Sequence, residues 1–538
     1  MLILLPIGLL LIAALVITIQ QRTRPKFGTS WLIAASATIA AWLVILAMRL
    51  RLPTTLSLLS WDNIDTGLQG QFSFRLDYQS WPYVLALLTI TLAVILTGAA
   101  RTRYDSTPQS WAASLMITAL GLIALQSGSS LTLMASWALV DLLELIFLLR
   151  LEDASQFTFR ILTSYAVRMV SILLIFLGTI IGWQSFPNFD ITQIPQRAAF
   201  FFLLAAGFRL GVFPLNLPFL QEPGMRRGAG NILRLAPVAS SLMLLARLPE
   251  NVIPSGLQSW TWLFYALLAI AALYAAFRWL SSTDEIEGRP FWIVAWASLA
   301  VVSVLNGEPQ ASLAWGLALI LPGSLFFLYF PRVQRMNFLL FFGLIGLIGI
   351  PYTPLASGWV GLVGNGLTIW TFLFLITHAI MIFGTFNRMV QPGGEVGALE
   401  TWARIAYPLG FILLIQAILI LGLVGWPGSL TMGTWWLPAA SLLLVIGAII
   451  LIRRYGIEPP YIQLPASSGL SRILGWIIPR LEPIFRLEWV YRVILWFYNL
   501  FGRILHVFST ILEGQGGVLW TILLLVLLIT LLSGGGLP

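Results

Sequence analysis

Four charged residues sit inside long apolar runs of the sequence: Asp141, Glu144, Arg168 and Arg209. An ionisable side chain is costly within a membrane-spanning segment, so its presence there marks an ion path or a buried ion pair. Asp141 and Glu144 are three residues apart, which puts them on one helix face, a turn from each other. Counting about 1.5 Å per residue from the ends of the runs places Asp141, Arg168 and Arg209 roughly 15–18 Å deep. The carboxylates can then face the guanidiniums at one level. A guanidinium does not give up its proton in a protein, so such a cluster would be a fixed ionic lock rather than a proton relay. Separate helix-packing contacts, the lining of a water cavity and a working half-channel are the other roles open to these groups.

Other residues carry weaker signals. The sequence has two histidines, His378 and His506. His378 lies in an apolar run and reads either as a satisfied packing histidine or as one step of a polar path. Pro214, Pro218 and Pro351 interrupt apolar runs and are expected to break helices in mid-membrane. Such breaks are tolerated only where protein or water meets the freed backbone groups. Arg226, Arg227 and Arg234 are expected at the cytoplasmic mouth, as a topology signal or as contacts for lipid phosphate. With no cysteine and two distant histidines, no zinc-thiolate, iron–sulfur, haem or other metal site is expected. No P-loop and no dinucleotide fingerprint occurs. The expectation is a chain with no cofactor, no nucleotide and no catalytic residue of its own.

The elements that must position these residues are membrane helices. The 538 residues are 59% hydrophobic and only 9% charged, against roughly 25% charged in a soluble domain. The mean hydropathy is +0.90. A chain this apolar cannot cover itself with polar surface, so lipid must be its solvent. The net charge of +9 does not point to nucleic acid, because the basic residues stand at the ends of apolar runs and form no basic stripe. Of the 30 basic residues, Lys26 is the one lysine.

A span needs about 20 mostly apolar residues. Hydropathy predicts about 16 spans on this criterion, near 1–20, 30–49, 80–100, 109–126, 129–149, 158–183, 197–220, 229–248, 259–279, 290–306, 310–330, 336–351, 361–386, 404–425, 435–452 and 517–533. With the N-terminus outside, nearly all arginines between spans fall in inside loops, as the positive-inside rule requires. Arg49, Arg51, Arg75 and Arg197 are the exceptions. The fold class is therefore an all-α polytopic membrane protein of the cytoplasmic membrane of a bacterial-type cell, with both termini outside. Residues 53–78 alternate around Asp-Asn and Gly-Leu-Gln-Gly and read as an extracytoplasmic β-hairpin. Residues 466–510 place Arg472, Arg480, Arg486, Arg492 and Arg503 among aromatic and aliphatic residues. They read as a long amphipathic helix along the cytoplasmic face, interrupted at Pro479 and Pro483. Three regions follow: 1–108 with the first spans and the hairpin, 109–425 as a helical core, and 426–538 with the amphipathic helix and a last span.

Several stretches resemble one family. FSFRLDYQSWPYVLALLTITLAVILTGAARTRYD, LMASWALVDLLELIFLL, AAGFRLGVFPLNLPFLQEPGMRRGAGNILRLAPVASSLMLLARLP, PFWIVAWASLA, LPGSLFFL and GLIGIPYTPLASGW follow in order through most of the chain. In order, spacing and layout they resemble the antiporter-like subunits of respiratory complex I, of its hydrogenase relatives and of multisubunit cation/proton antiporters. The long amphipathic helix before a last span is similar to the plan of the largest complex I subunit of this kind. The resemblance implies broken helices on an ion path and a Glu–Lys pair followed by further Lys and His residues across the midplane.

The sequence departs from that pattern of ionisable residues at nearly every position. The Glu after Trp137 is Ala138, and the seventh-span Lys is Arg209. The eighth-span His falls near Leu233, later His and Lys positions at Ala318 and Pro322, and the Lys after the Gly-Ile-Pro break is absent near Trp359 and Val360. Asp141, one turn beyond Ala138, is placed to stand in for the missing Glu. The expected function is a membrane-arm subunit of a complex I-like, redox-driven, proton-translocating assembly, with its own proton path degenerate and a largely structural role. The alternative is a subunit of a cation/proton antiporter or of an inorganic-carbon-uptake transporter. Partners would be other membrane subunits and lipids, with no nucleic acid.

Overall fold

The computed structural model describes residues 2–24, 28–62, 69–98, 107–151, 158–183, 190–217, 227–329, 337–364, 366–390, 401–431, 434–454, 469–485, 488–513 and 516–534. The chain divides into two compact units, Met1–Leu474 and Gly475–Pro538. Among the described residues, 12 helices are long and apolar enough to cross a membrane. Shorter apolar helical segments run over Phe338–Ile348, Pro354–Val363, Trp436–Leu451 and Gly517–Thr530.

In the first unit, α1 (Leu5–Thr23) and α2 (Ser30–Met48) pack on each other and on α3 (Ser80–Gly98) and α4 (Pro108–Leu125). Between α2 and α3, strands β1 (Thr54–Asp62) and β2 (Gln69–Leu76) pair antiparallel, from Thr54 opposite Leu76 to Asp62 opposite Gln69. Next come α5 (Ser130–Leu151), α6 (Thr158–Trp183), α7 (Gln196–Leu210) and α8 (Ala229–Ala246). The second half holds α9 (Thr261–Ser281), α10 (Glu285–Leu305), α11 (Pro309–Leu328), α12 (Asn337–Ile348), α13 (Val360–Val363), α14 (Ile369–Val390), α15 (Thr401–Val424) and α16 (Trp436–Arg454). Helices α8 and α11 are buried along their whole apolar length, and α3 and α10 nearly so. A helix that is apolar all round belongs at the centre of a bundle. Helices α1, α2 and α6 keep most of their apolar surface outward, as elements facing lipid do.

Two expected spans are shorter than their apolar runs. The run at 197–220 forms a helix only to Leu210, where Gly211 adopts φ 80° and turns the chain. A left-handed glycine is a common helix stop. The run at 336–351 ends as a helix at Ile348, before Gly349 at φ 84°. The next long helix starts at Ile369 rather than near 361, because a 3₁₀ turn and the single-turn α13 intervene before Gly364 at φ 49° and Gly366 at φ 153°. Hydropathy is blind to these backbone reversals, so the apolar runs alone overstate the helices.

In the second unit, α18 (Glu488–Glu513) packs on α19 (Gly516–Gly534). Helix α17 (Gly469–Phe485) straddles the division and runs through both Pro479 and Pro483 instead of breaking there. Arg480 lies 3.7 Å from the Trp476 ring, and its Nη1 donates to the Trp476 carbonyl at 2.8 Å.

Candidate functional site

Five charged side chains from four helices meet inside the first half. Helix α5 contributes Asp141 and Glu144, α6 Arg168, α7 Arg209 and α8 Arg234. Arg209 grips Asp141 through Nη1 to Oδ2 at 2.6 Å and Nη2 to Oδ1 at 2.8 Å. Arg168 reaches Asp141 at 3.4 Å and holds both oxygens of Glu144, Nη2 donating to Oε1 at 3.0 Å. Arg234 also donates to Glu144. All five residues are between 1% and 4% exposed.

Local sequence aims these groups. The i, i+3 spacing puts both carboxylates on one face of α5. Trp137, one turn earlier, lays its ring under Arg209 with 4.2 Å between guanidinium carbon and centroid, a cation–π contact that gains strength in a dry site. The Trp137 Nε1 donates to Ser240 on α8 at 2.9 Å, and Ser240 donates to the Pro237 carbonyl. Arg209 stands at the carboxyl end of the shortened α7, where the helix dipole favours a cation. Bidentate pairing of planar guanidinium with carboxylate fixes direction as well as distance. Three guanidiniums thus face two carboxylates, and every link is charge-assisted.

The second half is built differently. His378 on α14 is 1% exposed. Its Nδ1 is 2.7 Å from Ser441 Oγ on α16 and its Nε2 is 2.9 Å from the Leu347 carbonyl at the end of α12. Trp296, Trp315 and Trp359 surround the ring, with centroids 5.4, 5.9 and 4.7 Å away. The indoles continue as a file, Trp296 to Trp292 at 5.5 Å and Trp292 to Trp279 at 5.0 Å. An apolar aromatic column runs along this part of the bundle, and His378 is its polar member.

No family model matches the sequence, and no curated protein does. Solved structures match the fold. A chain of the Mrp complex from Dietzia sp. superposes with a TM-score of 0.76 at 14% identity, covering 100% of this chain and 63% of that one. A chain of the membrane-bound sulfane sulfur reductase, an archaeal respiratory membrane complex, gives 0.67 at 14% identity, covering 98% and 99%. A chain of respiratory complex I from Thermus thermophilus gives 0.62 at 17% identity, covering 83% and 100%. The fold is that of the antiporter-like membrane subunits. The chain spans 63% of the length of the Mrp-complex chain it matches.

Within this antiporter-like fold, the other singled-out residues are scattered. Arg234, expected at a cytoplasmic mouth, is buried in α8, itself buried throughout, and belongs to the ionic core. Arg227 donates to Asp284 at 2.9 Å and to Glu285 at 3.3 Å, tying the start of α8 to the start of α10. Burial pushes the Asp284 carboxyl up, but hydrogen bonds from Glu285 and the Arg227 charge outweigh it and hold it below its usual range. Arg226 and Pro218 lie outside the described residues. Pro214 follows the end of α7 in a turn, and Pro351 sits in the turn after α12.

A second charged network escaped the sequence reading. Asp77, just after β2, accepts from Arg247 Nη2 at the end of α8 at 3.0 Å and lies 3.5 Å from Arg75 Nε. Arg75 also donates to Asp190 at 3.1 Å. Asp77 Oδ1 further accepts from the backbone N–H groups of Gln79 and Ser80 and from the Ser80 hydroxyl, capping α3. Burial raises the Asp77 carboxyl, yet Arg247, the Ser80 bonds and Arg75 together hold it below its usual value of 3.8. Arg75 was an exception to the charge rule, and its two carboxylate partners give it a structural reason to be there. Arg49, another exception, donates to the Val424 carbonyl and lies 5.0 Å over the rings of Tyr78 and Trp81.

A cavity of about 550 Å³ opens among Thr261, Tyr265, Asn306, Thr368, Trp370 and Thr371. The polar groups there already serve one another. Tyr265 donates to Asn306 at 2.6 Å, and Thr371 bonds Thr368 and the Leu362 carbonyl. They present no convergent set of free donors or acceptors.

Proposed function

We propose that this chain is an antiporter-like membrane subunit of a multisubunit complex of the complex I kind, an NADH:quinone oxidoreductase or a related redox-driven assembly. Its own proton path is degenerate and its role is largely structural. The observation that carries the reading is the pairing of Asp141 with Arg209 by two hydrogen bonds in the buried core between α5 and α7. A relay group must take up and release a proton near neutral pH, and burial can tune a lysine to do so. An arginine in its place stays charged. It holds Asp141 in a fixed orientation, so the pair braces the bundle at the point where a relay would start.

The same reading takes in the finer topology: about 16 spans by the 20-residue criterion, the β1–β2 hairpin and both termini outside, and α17 and α18 along the cytoplasmic face of a bacterial-type inner membrane, where they brace neighbouring subunits. Other membrane subunits and lipids are the partners. Purification of the tagged chain from its native membrane in mild detergent, with mass spectrometry of what accompanies it, tests this directly. Quinone-module or hydrogenase subunits are the expected companions. A chain that purifies alone overturns the reading.

A second reading has its own support. The Mrp-complex chain covers the whole of this chain at a TM-score of 0.76, above the other matches described here. That favours a subunit of a cation/proton antiporter, or of an inorganic-carbon-uptake transporter, as the alternative. Co-purifying antiporter subunits together with sodium-dependent proton exchange in reconstituted vesicles would select it.

A further inference from the structure

We propose that His378 caps the carboxyl end of α12 by donating to a backbone carbonyl that the helix end leaves free, and that it thereby pins the broken end of α12. The argument is local and does not depend on which assembly the chain joins. The last four carbonyls of an α-helix have no donor within the helix. Leu347 is the last residue but one of α12, which ends at Ile348 before Gly349 at φ 84°. A carbonyl left free in this way within the apolar interior is costly unless another donor meets it. The Nε2 of His378 lies 2.9 Å from the Leu347 oxygen.

A carbonyl oxygen can only accept, so Nε2 must carry the hydrogen. The neutral ring is then the Nε2–H tautomer, and its bare Nδ1 accepts from the Ser441 hydroxyl 2.7 Å away. Both ring nitrogens are thereby satisfied without a net charge. The Trp296, Trp315 and Trp359 rings stand at 84°, 78° and 69° to the imidazole and fix its plane.

The rest of the break is held on the same plan. Trp315 Nε1 donates to the Gly358 carbonyl at 2.8 Å, and Asn306 Nδ2 donates to the Gly361 carbonyl at 2.8 Å. Three side chains from three other parts of the bundle thus supply N–H donors to backbone carbonyls between 347 and 361. His378 is one of three such donors, the one at the end of α12. It is a positioning residue, and its proton belongs to the backbone of α12.

The chain has two histidines, so His506→Gln leaves His378 as the sole reporter. Nitrogen-15 NMR of the full-length, histidine-labelled protein in lipid reads its tautomer directly. A protonated Nε2 with a bare Nδ1 is expected; a bare Nε2 overturns the proposal. The second measurement is the thermal midpoint of His378→Leu beside that of Ser441→Ala. Leucine removes the donor to the Leu347 carbonyl and should lower the midpoint clearly, whereas Ser441→Ala leaves Nε2 its hydrogen and should lower it less. His378→Gln, which keeps an N–H, should recover part of the midpoint that His378→Leu loses. A midpoint unchanged by His378→Leu, or a loss that glutamine does not recover at all, overturns the pinning role even if the tautomer is as expected.

Discussion

Asp141 and Arg209 are 68 residues apart in sequence and meet by two parallel N–H···O bonds, each residue at most 2% exposed. Removing one member leaves the other buried without its main partner. Arg209→Ala and Asp141→Ala should each cost about 3–5 kcal/mol of stability. Replacing both at once with apolar residues, Asp141→Leu with Arg209→Met, should recover much of that loss, because the desolvation cost disappears with the pair. Thermal midpoints in one detergent, read with recovery of the assembled complex, decide it. An Arg209→Ala protein of unchanged stability and assembly counts against an ionic lock.

Arg209→Lys separates charge from geometry. An ammonium is a point charge and cannot span both carboxylate oxygens as the planar guanidinium does. It also loses the flat contact with the Trp137 ring, 4.2 Å away. The lysine variant should lie between the parent and Arg209→Ala in thermal midpoint, and Trp137→Leu should cost about 2 kcal/mol on its own. A lysine variant as stable as the parent would show that charge alone suffices and that the planar fork is dispensable.

The Asp77 junction should fail in acid. Its carboxyl is held below the usual value of 3.8, chiefly by Arg247 against the opposing effect of burial, then by Ser80 and Arg75. The unfolded chain therefore binds this proton more tightly than the folded one. The stabilisation is fully present above the usual value and is lost as pH falls through the lowered one. Hydrogen-exchange protection of β2 and of the start of α3, taken relative to the intrinsic amide rate at each pH, should be constant across neutral pH and fall below about pH 4. Asp77→Asn should remove that acid limb and weaken the junction at every pH. An acid limb that persists in the asparagine variant must come from another carboxylate.

Parts of this arrangement were legible in the sequence because rare residue types carry information. Asp141, Glu144, Arg168 and Arg209 stand out in apolar runs, and a shared depth was enough to suggest that they meet. Arg234 was placed at the membrane surface because it lies near the start of its run, yet α8 is enclosed by protein along its whole length. Distance from the end of a run measures depth in lipid and says nothing of burial by neighbours. The Asp77–Arg247 pair spans 170 residues, and nothing in either local sequence announces the other. His378 is conspicuous, but the carbonyl it meets belongs to Leu347, an ordinary residue whose importance comes only from its place at the end of α12. The short α7 and α12 were hidden by hydropathy, although Gly211 and Gly349 before the prolines were the available stop signals.

The second break depends on a backbone-to-backbone approach that a single methyl group can probe. Tyr352 holds φ 69°, a left-handed conformation unusual for a bulky residue. Its carbonyl oxygen lies where a Cβ on Gly422 of α15 would stand, 2.1 Å from that position, with the Thr353 Cα at 2.9 Å. Backbone cannot swing aside as a side-chain tip can, so Gly422→Ala must push α15 away from the break or force Tyr352 out of its turn. Overpacking of this kind typically costs about 1–3 kcal/mol. Gly447 on α16 is the matched control, since a Cβ there meets nothing within 4 Å. Gly447→Ala should match or slightly exceed the parent, as alanine is the better helix former by roughly 0.5–1 kcal/mol. Thermal midpoints of the two variants in the same detergent make the comparison. A Gly422→Ala protein as stable as Gly447→Ala would mean that α15 does not press against the turn at Tyr352, and the enclosure of the second break by α15 would have to be abandoned.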